Sequence, residues 1–337
     1  MSDFVLYRLP YEGEAYRIDD TNAEPLTLPS ALCLDDVRGF VMAPFVASAD
    51  TPLVVIRGEA RKVDIQPEAP HVSGTETSDR EAYSKAFSLF HSAVVDNRFS
   101  KLVLSRCAEV VAHEAFCPQQ LFAEACRRYP RMMVALVNSS VAGTWLMATP
   151  ELLIAEDGGS WHTMALAGTM PYEGTTDCRW SGKNIAEQQM VADYISQCLS
   201  PFVTDMTVTE PYTIRAGNLV HLRSDFSFRF GNDTSDVCGI GNVIETLHPT
   251  PAVCGLPKND ALRFILENEN VDRRYYSGFL GPWHTGGKAS LFVSLRCMEI
   301  SGTRCVMHAG GGLLADSDEE SEWQETEMKM EAMRRLI

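Results

Sequence analysis

Two hydrophobic periods alternate along the chain, and each change of period marks an element. Tyr83, Phe87, Phe90 and Val94 fall at helical spacing, which predicts a helix with one buried stripe. Ser78 stands where its N-cap belongs, with Glu81 three residues on to complete a capping box. Past Asn97 the period drops to two. In Lys101-Leu102-Val103-Leu104-Ser105-Arg106, if Leu102 and Leu104 enter a core, Lys101 points to the opposite face of the strand. Further stripes predict helices over residues 118–129, 183–199 and 261–266, and short apolar runs predict strands over 132–137, 144–148, 152–155 and 161–166. Gly158-Gly159 reads as the hairpin turn between the last two. Residues 291–300 read as one long strand with Phe292, Ser294 and Arg296 on one face. Residues 1–65 carry short apolar runs between Pro and acidic turns, and the polar stretch 66–77, with two prolines, reads as a linker. Many strands with few helices and no regular βαβ alternation predict an α+β fold of large antiparallel sheets flanked by helices.

Three places break the pattern in ways that suggest chemistry. Gly310-Gly311-Gly312 can take positive φ and offer backbone N–H groups to an anion, and a helix follows with Ser317 as N-cap and Glu320 as its box partner. Glu322, Glu325 and Lys329 then project from one helix face. Taken alone, that face favours a surface ion pair, worth only about 0.3–0.5 kcal/mol. Glu187 lies four residues before Val191, on the apolar side of its helix, and a buried carboxylate requires a partner, whether an ion pair, a metal or a catalytic role. Finally, Leu247-His248-Pro249-Thr250-Pro251-Ala252-Val253 cannot be helical around its prolines and forms a stiff loop holding His248.

Charge narrows the partners. With 29 Lys and Arg against 45 Asp and Glu, the formal charge is −16, which disfavours nucleic acid and anionic membrane, so an anionic substrate needs a local cluster of cations. No basic-then-apolar leader and no membrane-length apolar run is present, and a soluble, cytoplasmic protein is expected. The ten cysteines show no C-x-x-C spacing, the closest pair being Cys297 and Cys305, and read as free thiols. P-loop, H-E-x-x-H and G-x-S-x-G motifs are absent, and Gly239-Ile240-Gly241 lacks the remaining glycine of a dinucleotide fingerprint.

What the chain has instead is a dispersed, ordered set of segments. Phe99-Ser100-Lys101-Leu102-Val103-Leu104-Ser105-Arg106, Ala148-Thr149-Pro150-Glu151, Ala165-Leu166-Ala167-Gly168-Thr169, the Glu187 helix, the His248 loop, Arg274-Tyr275-Tyr276-Ser277-Gly278, Leu295-Arg296, the three glycines and Glu322-Trp323-Gln324-Glu325-Thr326-Glu327-Met328-Lys329 resemble the chorismate-utilising enzymes, and among them the isochorismate synthases. The resemblance runs from about Tyr83 to the C-terminus. It implies one large two-lobed catalytic domain over 1–337, in which residues 1–77 are divergent and residues 78–337 form the motif-bearing core, with an active site in the cleft. It also implies roles: Lys101 as the base that activates water, Glu151 as the acid that protonates the departing ring hydroxyl, and Glu187 and Glu325 as Mg²⁺ ligands with Glu322 beside them. Arg296 and Tyr276 would bind the enolpyruvyl carboxylate, while Gly168, Thr169, Gly311, Gly312 and Lys329 would orient chorismate, with His248 in the pocket.

The chemistry asks for such groups independently. Chorismate is a dianion, Mg²⁺ takes one or two carboxylates plus water and substrate oxygens, a lysine base needs a lowered pKa and a glutamate acid a raised one. Within the resemblance, Lys101 stands where anthranilate synthases have Gln, and Ala167 where aminodeoxychorismate synthases have Lys. Salicylate synthases share Lys101, Glu151 and Ala167, then eliminate pyruvate, and stand as the enzymatic alternative; a silent chorismate-binding subunit is the other. Gln188 and Met170 depart from the family's usual His and Arg. Menaquinone and siderophore biosynthesis are the pathways implied, with a monomer or weak homodimer expected.

Overall fold

A computed structural model describes residues 3–22, 24–65, 73–230 and 239–337. Its strands build two antiparallel sheets of ten strands each. In the first, Gly255–Leu256, Lys101–Ala112, Arg304–Leu313, Cys297–Ser301, Gly143–Thr149, Met133–Ser139, Phe4–Arg8, Ala15–Asp19 and Arg61–Val63 follow one another, with Gly74–Thr77 also paired to Lys101–Ala112. The second runs Val203–Val208, Leu219–Phe230, Ser160–Pro171, Leu152–Asp157, Ala289–Val293, Phe279–Trp283, Gly39–Ala43, Leu53–Ile56 and Leu26–Leu28, with Tyr212–Ala216 on Leu219–Phe230. Residues 4–63 thus supply three strands to each sheet.

Both faces of each sheet are covered, which is why so many strands read as near-continuous apolar runs. Between the sheets lie Tyr7, Phe40, Met42, Val54, Trp145, Tyr275 and Phe292. Helices Pro118–Arg128 and Glu319–Arg334 cover the outer face of the first sheet, setting Leu121, Phe122, Met330 and Met333 in one cluster with Val134, Leu136 and Leu146. Helix Gly182–Leu199 does the same for the second, with Val191, Ile195 and Leu199 among Ala165, Phe226 and Phe228. Each such buried side chain contributes about 1.5–3 kcal/mol. The Tyr83, Phe87, Phe90, Val94 stripe of helix Arg80–Val95 is buried with Leu102, Leu104 and Leu313, so Lys101 does point to the opposite face of its strand. No described helix is long and apolar enough to cross a membrane.

Four expectations are corrected. The predicted strand 291–300 is two strands in different sheets, Ala289–Val293 and Cys297–Ser301, and the chain crosses between them at residues 294–296, where Arg296 has φ 47°. Apolar alternation continues across the break because both halves are buried, so periodicity could not show it. Both helix caps shift by one residue: Asp79 accepts from Ala82 N at 2.8 Å and Asp318 from Ser321 N at 3.0 Å, because an Asp carboxylate stands next to each serine and takes the position. In the polar stretch, Gly74–Thr77 is a strand paired with Glu109–Ala112, and residues 66–72 lie outside the described residues. The three glycines sit within the strand Arg304–Leu313, and none has positive φ. Their use is the absent side chain.

Candidate active site

Two crossings between the sheets position the site. Gly143–Thr149 ends in the first sheet and Leu152–Asp157 begins in the second, so Pro150-Glu151 spans the gap beside the 294–296 crossing, tied to it by Val293 N donating to Glu151 O at 2.9 Å. Pro150 has no N–H with which to continue the ladder. Glu151 and Arg296 therefore enter one cavity between the sheets, which also takes Gly168, Thr169, Glu187, Tyr276, Gly310, Gly312 and Lys329 as lining.

Lys101 is 0 % exposed, and its Nζ bonds Glu187 Oε1 at 2.8 Å. Desolvating an ammonium costs several kcal/mol, so a lysine held there in one half of an ion pair is a sign of use as well as of packing. Its partner Glu187 is held below the usual carboxylate range: burial alone would raise it, and the Lys101 ammonium overrides that, with Lys329 and Lys183 adding to the pull. Gly168 N also donates to Glu187 Oε2 at 3.3 Å. A Cβ at Gly312 would lie 2.6 Å from both Glu187 Oε1 and Lys101 Cε, so only glycine leaves this pair in place.

Across the cavity, burial pushes the Glu151 carboxyl up to about 7 against the opposing charges of Lys101, Lys329 and Arg296. Burial lowers Arg296. Its Nη2 donates to His221 Nε2 at 3.1 Å, and His221 Nδ1 in turn lies 3.0 Å from the Gly168 carbonyl. That arrangement fixes a neutral imidazole with its proton on Nδ1, in keeping with a histidine driven well below its ordinary pKa by burial and by Arg296. Arg296 Nη1 is buried with no partner among the described residues. An unsatisfied guanidinium N–H on a cavity wall is a carboxylate site in waiting.

The three carboxylates assigned to a metal are each held by a lysine: Glu187 by Lys101, Glu322 by Lys183 at 2.5 Å, and Glu325 by Lys329 at 2.7 Å. Glu322 also accepts from the Ser317 hydroxyl at 2.7 Å, and burial together with the Glu325 charge raises it. No three His, Cys, Asp or Glu among the described residues gather as a ready-made ligand set. All three nevertheless flank the glycine strand: a Cβ at Gly311 would lie 2.8 Å from Glu322 Oε2 and 3.9 Å from Glu325 Oε1, next to the Gly312 position beside Glu187. Glu322 and Glu325 repel each other, and Lys183 is close enough to both and to Glu187 to feel all three charges; such a group suits a hard cation that completes its shell with water and substrate oxygens.

Lys101, Gly311, Glu322 and Glu325 are not among the residues lining this cavity, and one assigned residue is elsewhere altogether. His248 does not line this cavity; its ring packs edge-on to Phe279 with centroids 5.1 Å apart, and Nε2 donates to the Phe45 carbonyl at 3.3 Å. Burial drives it down to about 3, so it is a neutral packing residue, and its loop reaches the cavity through Ala252 and Val253 instead. Gly311 faces Glu322 and is not among the lining residues, as strand alternation requires once Gly310 and Gly312 are. Lys329 lines the cavity while donating to Gly310 O at 2.7 Å and pairing with Glu325. Sequence reasoning missed His221 and Lys183. A single histidine in an alternating strand and a lysine in a first helical turn carry no motif, and the only available signal for His221 was a polar residue in the apolar run Leu219-Val220-His221-Leu222. Gln188, at the position of a departure from the family pattern, turns away to bond Ser224 Oγ at 3.0 Å.

Known proteins share the family and the fold of this chain. A family model described as chorismate binding enzyme matches residues 51–337. The salicylate biosynthesis isochorismate synthase of Pseudomonas aeruginosa is 30 % identical over 347 residues, covering 97 % of this chain and 67 % of that protein. Isochorismate synthase DhbC of Bacillus subtilis is 30 % identical over 259 residues, covering 72 % of this chain and 64 % of its own length. The chain thus spans about two thirds of the length of these relatives. Among solved structures, a putative 2,3-dihydroxybenzoate-specific isochorismate synthase of Bacillus anthracis superposes with a TM-score of 0.84 at 21 % identity, covering 99 % of this chain and 96 % of that one. MenF of Escherichia coli gives 0.82 at 21 % identity, covering 99 % and 88 %. At that identity the structures speak for the fold alone. The family match covers most of the chain, from strand Leu53–Ile56 to the last helix, and the chain belongs to the chorismate-binding enzymes.

Proposed function

We propose that this protein is an isochorismate synthase, an isomerase that adds water to the chorismate ring and expels the ring hydroxyl. The reading is carried by one cavity whose wall holds Glu151, with its pKa raised to about 7, and Arg296, whose Nη1 lacks an acceptor among the described residues, with the buried Lys101 near enough for its charge to act on Glu151. In this reading Arg296 Nη1 and the Tyr276 hydroxyl donate to the enolpyruvyl carboxylate, and Lys329, Gly168 and Thr169 orient the ring. Lys101 Nζ takes a proton from water as the new C–O bond forms beside the carboxylate-bearing carbon, and Glu151 gives its proton to the hydroxyl that leaves as the double bond shifts. Glu187 and Glu325, with Glu322 adjacent, would hold Mg²⁺, whose charge would draw electron density towards the ring carboxylate. To act as base Lys101 must first release its own proton to solvent and separate from Glu187, and in the resting ion pair that carboxylate keeps the ammonium placed. The catalytic unit is proposed to span residues 1–337, since residues 4–63 complete both sheets.

Two experiments test this. Incubating the protein with chorismate and Mg²⁺ and resolving products by chromatography is expected to give isochorismate alone. Salicylate with pyruvate would instead make it a salicylate synthase, and binding without turnover would make it a silent subunit. Second, the acid must be protonated to work, and its raised pKa keeps it so up to about pH 7. Hence the pH profile of kcat/KM should carry an ionisation near pH 7 that disappears in Glu151→Gln. A profile flat to pH 9 would refute Glu151 as the acid.

A further inference from the structure

Away from the active site, a second cavity of about 300 Å³ opens where the end of helix Pro118–Arg128, the Gly217-Asn218 turn and the end of the last helix meet. Arg128, Arg131, Arg215 and Arg335 line it, and no Asp or Glu does. In a chain of net charge −16 that concentration of guanidinium groups is unexpected.

The plain explanation would be that these arginines neutralise the negative ends of the two helices. For the first helix that work is already done. The buried Arg8 guanidinium donates to the carbonyls of Cys126, Tyr129 and Met132 at 3.1, 2.6 and 2.7 Å. The lining arginines are also under-used. Arg128, Arg215 and Arg335 each commit Nε to a neighbour, to Glu124 at 2.5 Å, Gly217 O at 2.8 Å and Glu331 at 2.9 Å, and their Nη groups make no hydrogen bond among the described residues. Arg215 is stacked 3.9 Å from the Tyr172 ring centroid, which holds its plane in place. Arg131 is exposed and has no hydrogen-bond or ion-pair partner among the described residues.

Paired N–H groups from several arginines around a concave space match the forked oxygens of phosphoryl and carboxylate groups. We propose that this cavity is a second anion site, taking a small polyvalent oxyanion of the phosphoryl or polycarboxylate class, separate from the chorismate cavity. A concave space of this size fits a small molecule better than the flatter contact surface of a protein partner.

Isothermal titration at fixed ionic strength, in metal-free buffer, with sodium pyrophosphate and with sodium citrate tests it. One saturable site is expected for at least one of the two, and the tighter of them names the class. Affinity should drop at least about tenfold in Arg131→Glu, which adds a negative side chain at an exposed position without disturbing the core. It should be unchanged in Arg263→Glu, an equal change of charge on an exposed arginine of helix Lys258–Asn268. Saturating chorismate should not displace the anion. No saturable binding of either probe, equal weakening by the two variants, or displacement by chorismate would each overturn the proposal.

Discussion

Replacing Lys101 with glutamine is expected to lower the conversion of chorismate to isochorismate by about 10²–10⁴-fold, the range general base catalysis supplies, with cooperative thermal unfolding retained. Glutamine is chosen because its amide can still donate to Glu187 Oε1, which Lys101 now does at 2.8 Å. Alanine would leave a buried carboxylate without its main partner, and breaking a buried pair in that way costs about 3–5 kcal/mol, so loss of activity could be confused with loss of fold. The glutamine variant separates the two. It keeps the polarity of the position and removes only the group that can accept a proton from water. Rates measured by isochorismate formation, alongside a thermal melt, check the result. Turnover within a few-fold of the parent would remove Lys101 from the role of base.

The second large effect concerns the carboxylates. With Glu151 protonated, Lys101, Lys183, Lys329 and Arg296 face Glu187, Glu322 and Glu325, each carboxylate being held by one lysine. A dianionic substrate adds two further negative charges to this group, and a divalent cation offsets them. Glu187→Gln and Glu325→Gln each remove one hard oxygen charge from that set, and each is expected to raise the Mg²⁺ concentration for half-maximal activity at least about tenfold. Glu322→Gln should do less, because Glu322 is already bound to Lys183 and to the Ser317 hydroxyl. Activity titrated against Mg²⁺ for the three variants checks both the assignment and its order. Superimposable titrations for Glu187→Gln and the parent would remove Glu187 from the metal site.

What the sequence disclosed depended on whether a residue's job left a local mark. Lys101 was legible because a charged residue opens an alternating apolar strand, and Glu187 because it lies on the buried face of its helix. The sheets were legible as strands, but their partition was not: Thr149 to Leu152 and Val293 to Cys297 are the points where the chain changes sheet, the first visible only as a break between two strands and the second hidden because apolar alternation runs through it. Those crossings are what bring Glu151 and Arg296 to one cavity, so the placement of the acid and of the carboxylate donor is a property of topology that no window of sequence contains. His221 was hidden for a related reason, since its neighbours Arg296 and Gly168 are 75 and 53 residues away in the chain. His248 was misplaced because its loop does reach the cavity, through Ala252 and Val253, while its own ring turns to Phe45 and Phe279. The glycines were read as a cradle for positive φ; their strand is extended, and the space beside Glu187, Glu322 and Glu325 is what they provide.

The central claim is that Lys101 activates solvent water while Glu151 expels the ring hydroxyl. Running the reaction with chorismate and Mg²⁺ in H₂¹⁸O and weighing the isochorismate by mass spectrometry tests it most directly. Product carrying one solvent ¹⁸O per molecule is expected. Product with no ¹⁸O, its hydroxyl moved within the ring without exchange, would contradict it.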